Sequence, residues 1–365
     1  MARVEIAHGT VPVLRMQMLS WYAASRRDLP WRHSRDPYAI WVSEIMLRQT
    51  RVAVVIDRYR VFLERFPMLQ SLAEAPEQDV LALWSGLGYY RRARMLHKAA
   101  RFVVAHGSGQ LPQTAEELRT LPGIGAYTAA AIASIVHNER VAVVDGNVER
   151  VLCRLQGWDA PRRSGSTASR RKVEALATAL VDPSLPGDFN QAMMELGATV
   201  CLPRNPRCML CPLASMCDTR GEHPTAPRPR MLSKEVARGL TVRLHPASKV
   251  AMREVLLEQR PESESVMPGL WELPLLSVPD VPEQDLRMTV RHAIMQVNYY
   301  VRVRAVPEAV VDSMTVKKGE RRWVSLEEVG SLALTGLARK ILSRAHLLPS
   351  GQNQTVAARS KSGVV

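Results

Sequence analysis

Leu121-Pro122-Gly123-Ile124-Gly125 stands between two stretches of helical periodicity, and its reading decides the fold. Two glycines one residue apart let the chain reverse tightly, because neither carries a Cβ that would oppose a left-handed backbone. The apolar stretch 128–136 follows as a helix, so the N–H groups of Gly123 and Gly125 at its entrance can hold a phosphate with no side chain in the way. Taken alone, the motif is better read as an ordinary helix-helix turn. Its surroundings give it weight.

Upstream, Val80, Leu83, Trp84 and Leu87, and then Ala93, Leu96, Ala100 and Val103, repeat at the three-to-four spacing of a buried helical face. Thr114 and Glu117 have the form of a capping box, and Leu121-Pro122-Gly123 closes the helix they open. Residues from about 12 to 217 read as dense amphipathic helices with short breakers, which predicts an all-helical first domain over 1–220. A linker is expected over 221–235, where His223-Pro224-Thr225-Ala226-Pro227-Arg228-Pro229-Arg230 cannot sustain a helix.

Beyond it the texture changes. Thr241-Val242-Arg243-Leu244, Glu254-Val255-Leu256-Leu257-Glu258 and Tyr299-Tyr300-Val301-Arg302-Val303 read as short strands, with helices near 325–329 and 334–345. The second domain, 236–346, is therefore predicted to be α+β, and 347–365 is a polar tail expected to be disordered. The chain as a whole is mainly α, with no internal repeat.

At 365 residues the chain can bury two cores. Forty-nine Lys and Arg against 35 Asp and Glu leave a net charge of +14, which suits a polyanionic partner and binding that weakens with salt, or simply a solvated basic surface. No eighteen-residue apolar run and no charged-apolar-small leader is evident, so a cytoplasmic, nucleoid-associated location without a membrane partner is expected. Four of the five cysteines crowd into seventeen residues as Cys201-x6-Cys208-x2-Cys211-x5-Cys217, while Cys153 stands apart. That spacing points to metal rather than disulfides, and Pro203, Pro206 and Pro212 force loop between the thiols. By spacing alone the cradle suits zinc or a four-iron cluster.

Two carboxylates draw attention. Asp145 ends the apolar run Val141-Ala142-Val143-Val144 before Gly146-Asn147, where it could stabilise a cationic intermediate or simply cap the next helix. Glu44 shares a helical face with Ile40 and Leu47, so a partly desolvated wall would raise its pKa and let it hold a proton; a solvated helix-start Glu is the plainer alternative.

The order of hairpin, Asp and four-cysteine loop resembles the endonuclease III superfamily of DNA glycosylases, whose cluster is 4Fe-4S. Within it the adenine glycosylase (MutY) group is indicated by Leu29-Pro30-Trp31-Arg32, Asp36-Pro37-Tyr38, Trp41-Val42-Ser43-Glu44-Ile45-Met46-Leu47-Arg48-Gln49-Thr50, Trp84-Ser85-Gly86-Leu87-Gly88-Tyr89-Tyr90 and Phe189-Asn190-Gln191-Ala192-Met193-Met194-Glu195-Leu196-Gly197. The resemblance implies a helix-hairpin-helix glycosylase domain with Cys201, Cys208, Cys211 and Cys217 on the cluster. It implies that Glu44 protonates N7 of adenine while Asp145 stabilises the sugar cation, as an ion or a transient covalent partner. Bifunctional relatives carry a lysine where this chain has Tyr127, so a monofunctional enzyme leaving an intact backbone is expected.

By the same resemblance an extruded adenine would meet Arg27, Trp31, Arg32, Leu47 and Gln191. Gln49 and Tyr89 would fill or wedge the vacated stack, and Thr50 and Leu87 would touch the opposite base. Each of these is also readable as packing. Arg48 departs from the group, which usually has Gln there. The second domain resembles the MutT-like module with which adenine glycosylases recognise 8-oxoguanine, without the clustered glutamates of a Nudix hydrolase. Its usual Phe-Ser-His tip is replaced by Ile294-Met295-Gln296 after His292-Ala293, leaving Gln296 as the hydrogen-bonding side chain. The expected partner is double-stranded DNA bearing A:8-oxoG or A:G mispairs, bound by a monomer. A thymine mismatch glycosylase of the same superfamily and a non-catalytic DNA-damage binder are the alternatives.

Overall fold

The computed structural model describes residues 9–107, 109–159, 167–223, 230–246, 252–276, 282–311 and 320–348. Among them twelve α-helices precede and follow seven strands. The helices are α1 (Thr10–Ser25), α2 (Pro37–Leu47), α3 (Val52–Arg65), α4 (Leu69–Glu74), α5 (Glu77–Leu83), α6 (Arg91–His106), α7 (Ala115–Leu118), α8 (Ala126–His137), α9 (Gly146–Leu155), α10 (Thr167–Leu180), α11 (Pro186–Thr199) and α12 (Gly336–Arg344). The strands are β1 (Leu232–Leu240), β2 (Val242–Leu244), β3 (Arg253–Gln259), β4 (Trp271–Glu272), β5 (Leu286–Ile294), β6 (Val297–Ala305) and β7 (Arg321–Ser325). Contacts divide the chain into two compact units, the first of residues 1–52, 68–73 and 98–227, the second of 53–67, 74–97 and 228–365.

In the first unit, local chemistry starts the helices that carry the site. Asp36 caps α2 by accepting from the N–H groups of Tyr38 (3.1 Å) and Ala39 (3.3 Å), and Pro37 occupies the first turn, where its missing N–H costs nothing. The expected capping box at Thr114 forms, its Oγ1 accepting from the N–H of Glu117 at 3.2 Å. Gly125 precedes α8, and Asn138 ends it in the left-handed region at φ +57. Leu14, Met18 and Tyr22 of α1 pack with Val151 and Leu152 of α9, Leu176 of α10 and Phe189 and Leu196 of α11 in one core. Burying each such side chain stabilises the unit by about 1.5–3 kcal/mol.

The second unit holds two sheets. One has the order β1-β6-β5, with β1 parallel and β5 antiparallel to β6; in the other β3 pairs β2, β4 and β7, all antiparallel. Val255, Leu257, Val301, Val303 and Val324 from the sheets meet Leu337, Ile341 and Leu342 of α12 in its core. The expected strands at 241–244, 254–258 and 299–303 are β2, β3 and β6. The helix expected at 325–329 does not form. Ser325 ends β7, its hydroxyl accepts from the N–H of Glu328, and the chain turns through a single 3-10 turn at Val329–Ser331. β1 starts at Leu232, inside the expected linker, whose residues 224–229 lie outside the described set. Leu347, read as the head of the tail, is buried in the second core, while 349–365 lie outside the described residues. Among the described residues no helix is long and apolar enough to cross a membrane.

Candidate active site

α2 is apolar on nearly every face, so Glu44 at its centre is carried into the interior with it and is 5% exposed. Burial raises its carboxyl pKa to about 7, helped by the nearby charge of Asp145 and opposed by a hydrogen bond from Tyr127. That bond runs from the Tyr127 hydroxyl to Oε2 of Glu44 at 2.9 Å. The same hydroxyl lies 3.3 Å from the Met194 sulfur. Tyr127 sits in the first turn of α8, two residues after the hairpin's second glycine. Its own pKa is raised well above the usual value by burial and by the charges of Glu44 and Asp145, with Arg48 acting in the opposite sense. The departing arginine at position 48 therefore lies within electrostatic reach of the site.

Asp145 is the N-cap of α9. Oδ1 accepts from the N–H groups of Asn147 (2.9 Å) and Val148 (2.8 Å), and Oδ2 accepts from the Asn147 amide at 3.0 Å. The capping role is thus real, and it holds the carboxylate in the field that Glu44 and Tyr127 share. Each oxygen has two lone pairs, so Oδ2 keeps one for a second partner. The segment leading to Asp145 is pinned by Asn190 of α11: its Oδ1 accepts from the N–H of Val143 at 3.1 Å, and its Nδ2 donates to Val141 O at 2.8 Å and Ser134 Oγ at 3.0 Å.

Arg27 and Arg32 are turned to another task. Glu195 of α11, 1% exposed, accepts from Nε (2.7 Å) and Nη2 (2.6 Å) of Arg27 and from Nη2 of Arg32 (2.7 Å). Burial alone would raise the Glu195 pKa; the hydrogen bonds from the two guanidinium groups override it and hold the carboxyl at about 2. Both arginines thus meet Glu195, while the Arg27 side chain stays 38% exposed and that of Arg32 10%. Trp31 is buried in the turn Pro30–His33, Leu47 is half-buried at the end of α2, and Gln191 is half-buried one helical turn before Glu195.

The hairpin glycines are exposed, with Gly123 at φ +78 where a side chain would be strained. Gln49 is exposed at φ +59 and Thr50 is half-buried beside it. In the second unit Tyr89 is 53% exposed at φ +47, whereas Leu87 is buried and serves as packing there. Gln296 is exposed at the β5–β6 turn, next to Met295 at φ +54.

Cys201, Cys208, Cys211 and Cys217 line one cavity together with Arg154, Val200 and Ala214. The four thiols share one cavity, an arrangement that suits a cluster held by all of them. Arg154 of α9, 2% exposed, crosses behind it. Its Nη1 donates to Cys201 Sγ at 3.4 Å and to Leu202 O at 2.7 Å, and its carbonyl accepts from Cys217 Sγ at 3.3 Å. A buried cation with no carboxylate among these partners fits a cluster whose four thiolates carry net negative charge.

Residues 42–178 match the profile of the HhH-GPD superfamily base excision DNA repair proteins, and 201–217 match the iron-sulfur binding domain of endonuclease III. A solved thermostable thymine-DNA glycosylase is 30% identical, with a TM-score of 0.53 over 97% of that chain and 58% of this one. The chain belongs to the HhH-GPD superfamily of base excision DNA repair proteins. The human adenine DNA glycosylase is 50% identical over 219 residues, which is 58% of this chain and 40% of that one. That of Arabidopsis thaliana is 36% identical over 379 residues, 90% of this chain and 56% of its own, so similarity runs on into the second unit. The chain spans about half the length of the curated relatives it matches. In this HhH-GPD protein the loop 201–217 belongs to a 4Fe-4S cluster domain.

Three positioning groups escaped the sequence reading. Glu195 lies in the stretch Phe189–Gly197, four residues after Gln191 on one helix, but its ion partners are remote in the chain. Asn190 lies in the same stretch, and neither it nor Arg154 betrays its partners, which lie far off in the chain.

Proposed function

We propose that the chain is a monofunctional adenine DNA glycosylase that extrudes adenine from A:8-oxoG or A:G mispairs and hydrolyses its glycosidic bond, acting as a monomer. One observation carries this reading: a buried carboxyl at Glu44, poised at about 7, hydrogen-bonded to Tyr127 and in the field of Asp145. With Oε2 occupied by the Tyr127 hydroxyl, the acidic proton of Glu44 resides on Oε1, from which it passes to a purine ring nitrogen as the base departs. Asp145, fixed by its cap bonds, stabilises the positive charge that grows on the sugar. Water completes the hydrolysis. Tyr127 offers no amine for a Schiff base, so the phosphodiester backbone stays intact.

Extrusion costs a few kcal/mol, less at a mispair. Gly123 and Gly125 would grip the phosphates, Gln49 and Tyr89 would occupy the vacated stack, Thr50 would touch the opposite base, and Trp31, Leu47 and Gln191 would line the base pocket, with Arg27 and Arg32 bracing its wall through Glu195. The cluster on Cys201, Cys208, Cys211 and Cys217 supplies structure to its loop rather than electrons to a hydrolysis. Residues 236–346 would be a MutT-like module that reads the opposite base through Gln296 and Met295.

The test is incubation with duplexes bearing A:8-oxoG, A:G and T:G, followed by hot alkali. Breaks at adenine that appear only after alkali are expected. Breaks at thymine, or tight mismatch binding without breaks, would replace this reading with a thymine glycosylase or a damage binder.

A further inference from the structure

In the second unit, hydrogen bonds tie α12 on one side to β5, which leads into the β5–β6 turn, and on the other to the loop that presents Tyr89. At one end, Lys340 of α12 donates to the carbonyl of Arg291 in β5 at 2.8 Å, four residues before Met295. Gly336, the first residue of α12, lies so close to the His292 ring that a Cβ there would stand 3.4 Å from its Cε1. At the other end, Arg339 of α12 donates from Nε to Ser85 Oγ at 2.7 Å. Ser85 is hydrogen-bonded to the Tyr90 hydroxyl, which donates to the Leu334 carbonyl at 2.9 Å. The stretch entering α12 is itself locked, with Ala333 O accepting from Trp271 N and Trp271 O accepting from Thr335 N, both at 2.9 Å.

The loop between these anchors is under strain. Gly86 (φ +95) and Gly88 (φ +69) adopt the left-handed region freely, but Tyr89 (φ +47) carries a Cβ that opposes it and stays there only because its surroundings hold it. Ser85 is fully buried and Tyr89 is 53% exposed, so the relay grips the root of the loop and leaves its tip free. Arg92 adds bonds to Leu87 O (2.9 Å) and Gly88 O (3.1 Å). The β5–β6 turn is the other strained element, with non-glycine Met295 at φ +54 and 74% exposed.

We infer that α12 is a strut coupling the two DNA-facing turns, so that engagement of the opposite base by Met295-Gln296 sets the position of Tyr89 through Arg339, Ser85 and Tyr90. Arg339 is then a positioning residue for base recognition. This rests on the proposed DNA contacts of Gln296 and Tyr89. A strut of packed helix and short hydrogen bonds transmits displacement because such contacts have few alternative arrangements.

The test is a double-substitution cycle, reading the Kd of the full chain for a duplex with a tetrahydrofuran abasic analogue opposite 8-oxoguanine. Gln296→Ala and Tyr89→Ala are each expected to weaken binding, and their joint effect should differ from the product of the two by about fivefold or more. In the Arg339→Met background, and separately in Ser85→Ala, the two effects should simply multiply, and Arg339→Lys should restore part of the coupling. Ser85→Ala carries the test should Arg339→Met fail to fold. If Gln296→Ala leaves Kd unchanged, the turn does not touch DNA and both the reading of the second domain and the strut fall. If both single substitutions weaken binding but already multiply in the parent chain, or if coupling survives in both backgrounds, the strut alone is overturned.

Discussion

Tyr127 donates its hydroxyl hydrogen to Oε2 of Glu44, and the bond favours the ionised form of the acid it serves. Removing it with Tyr127→Phe should raise the Glu44 pKa. Single-turnover rate falls as the acid loses its proton, so the midpoint of that alkaline fall is expected to move upward by roughly one pH unit. A downward move would show that the tyrosine acts otherwise.

Glu44→Gln is expected to lower the single-turnover rate by at least about a thousandfold while mismatch affinity changes by less than about threefold. Stability gives an independent reading. The folded pKa, about 7, lies above the ordinary value of 4.5, so the native state binds its proton more tightly than the unfolded chain. Stability should fall as pH rises from the unfolded pKa through about 7 and then level off. The glutamine variant should therefore be the more stable protein near about pH 8, by on the order of 2 kcal/mol in denaturant titrations. Equal stability at that pH would contradict a buried acid.

Glu195 has the opposite sign. Held at about 2, it contributes stability that is present above its unfolded pKa and is lost as pH falls toward 2. Glu195→Gln should cost about 3 kcal/mol near neutrality, since it leaves Arg27 and Arg32 without their anion, and should flatten the acid limb of the stability curve. Unchanged acid sensitivity would show that the pair is not linked to folding.

Gly197→Ala introduces a Cβ that would stand 2.7 Å from the Cβ of Asn147 and 3.2 Å from its carbonyl, in the first turn of α9 that Asp145 caps. The clash should lower stability by about 1–3 kcal/mol and reduce the single-turnover rate by more than about tenfold, with affinity less affected. A fully active alanine variant would mean that the cap tolerates displacement.

Cys208→Ser should lower the iron and sulfide content of the purified protein together with its melting temperature and its DNA affinity. At saturating protein the residual single-turnover rate should stay within about tenfold of the parent. Lost chemistry with intact binding and folding would give the cluster a role in the reaction.

Much of this was legible along the chain because it is local. The capping box at Thr114, the left-handed turn at Gly123 and the strands at 254–258 and 299–303 depend on residues within a few positions of one another. Even the misread helix at 325–329 failed for a local reason, the serine that bonds the backbone three residues on. For the wall of the base pocket the sequence indicates Arg27 and Arg32 but not the distant glutamate that holds them.

Sequence alone determined the cysteine spacing, the hairpin glycines and the cap at Asp145, since covalent proximity places their partners. Only the tertiary structure decided that Tyr127 meets Glu44 across 83 positions and Glu195 meets Arg27 across 168, and that position 44 is dry enough to keep a proton near neutrality. Acidity and ion pairing depend on which remote segments exclude water together, and no run of neighbouring residues encodes that by itself.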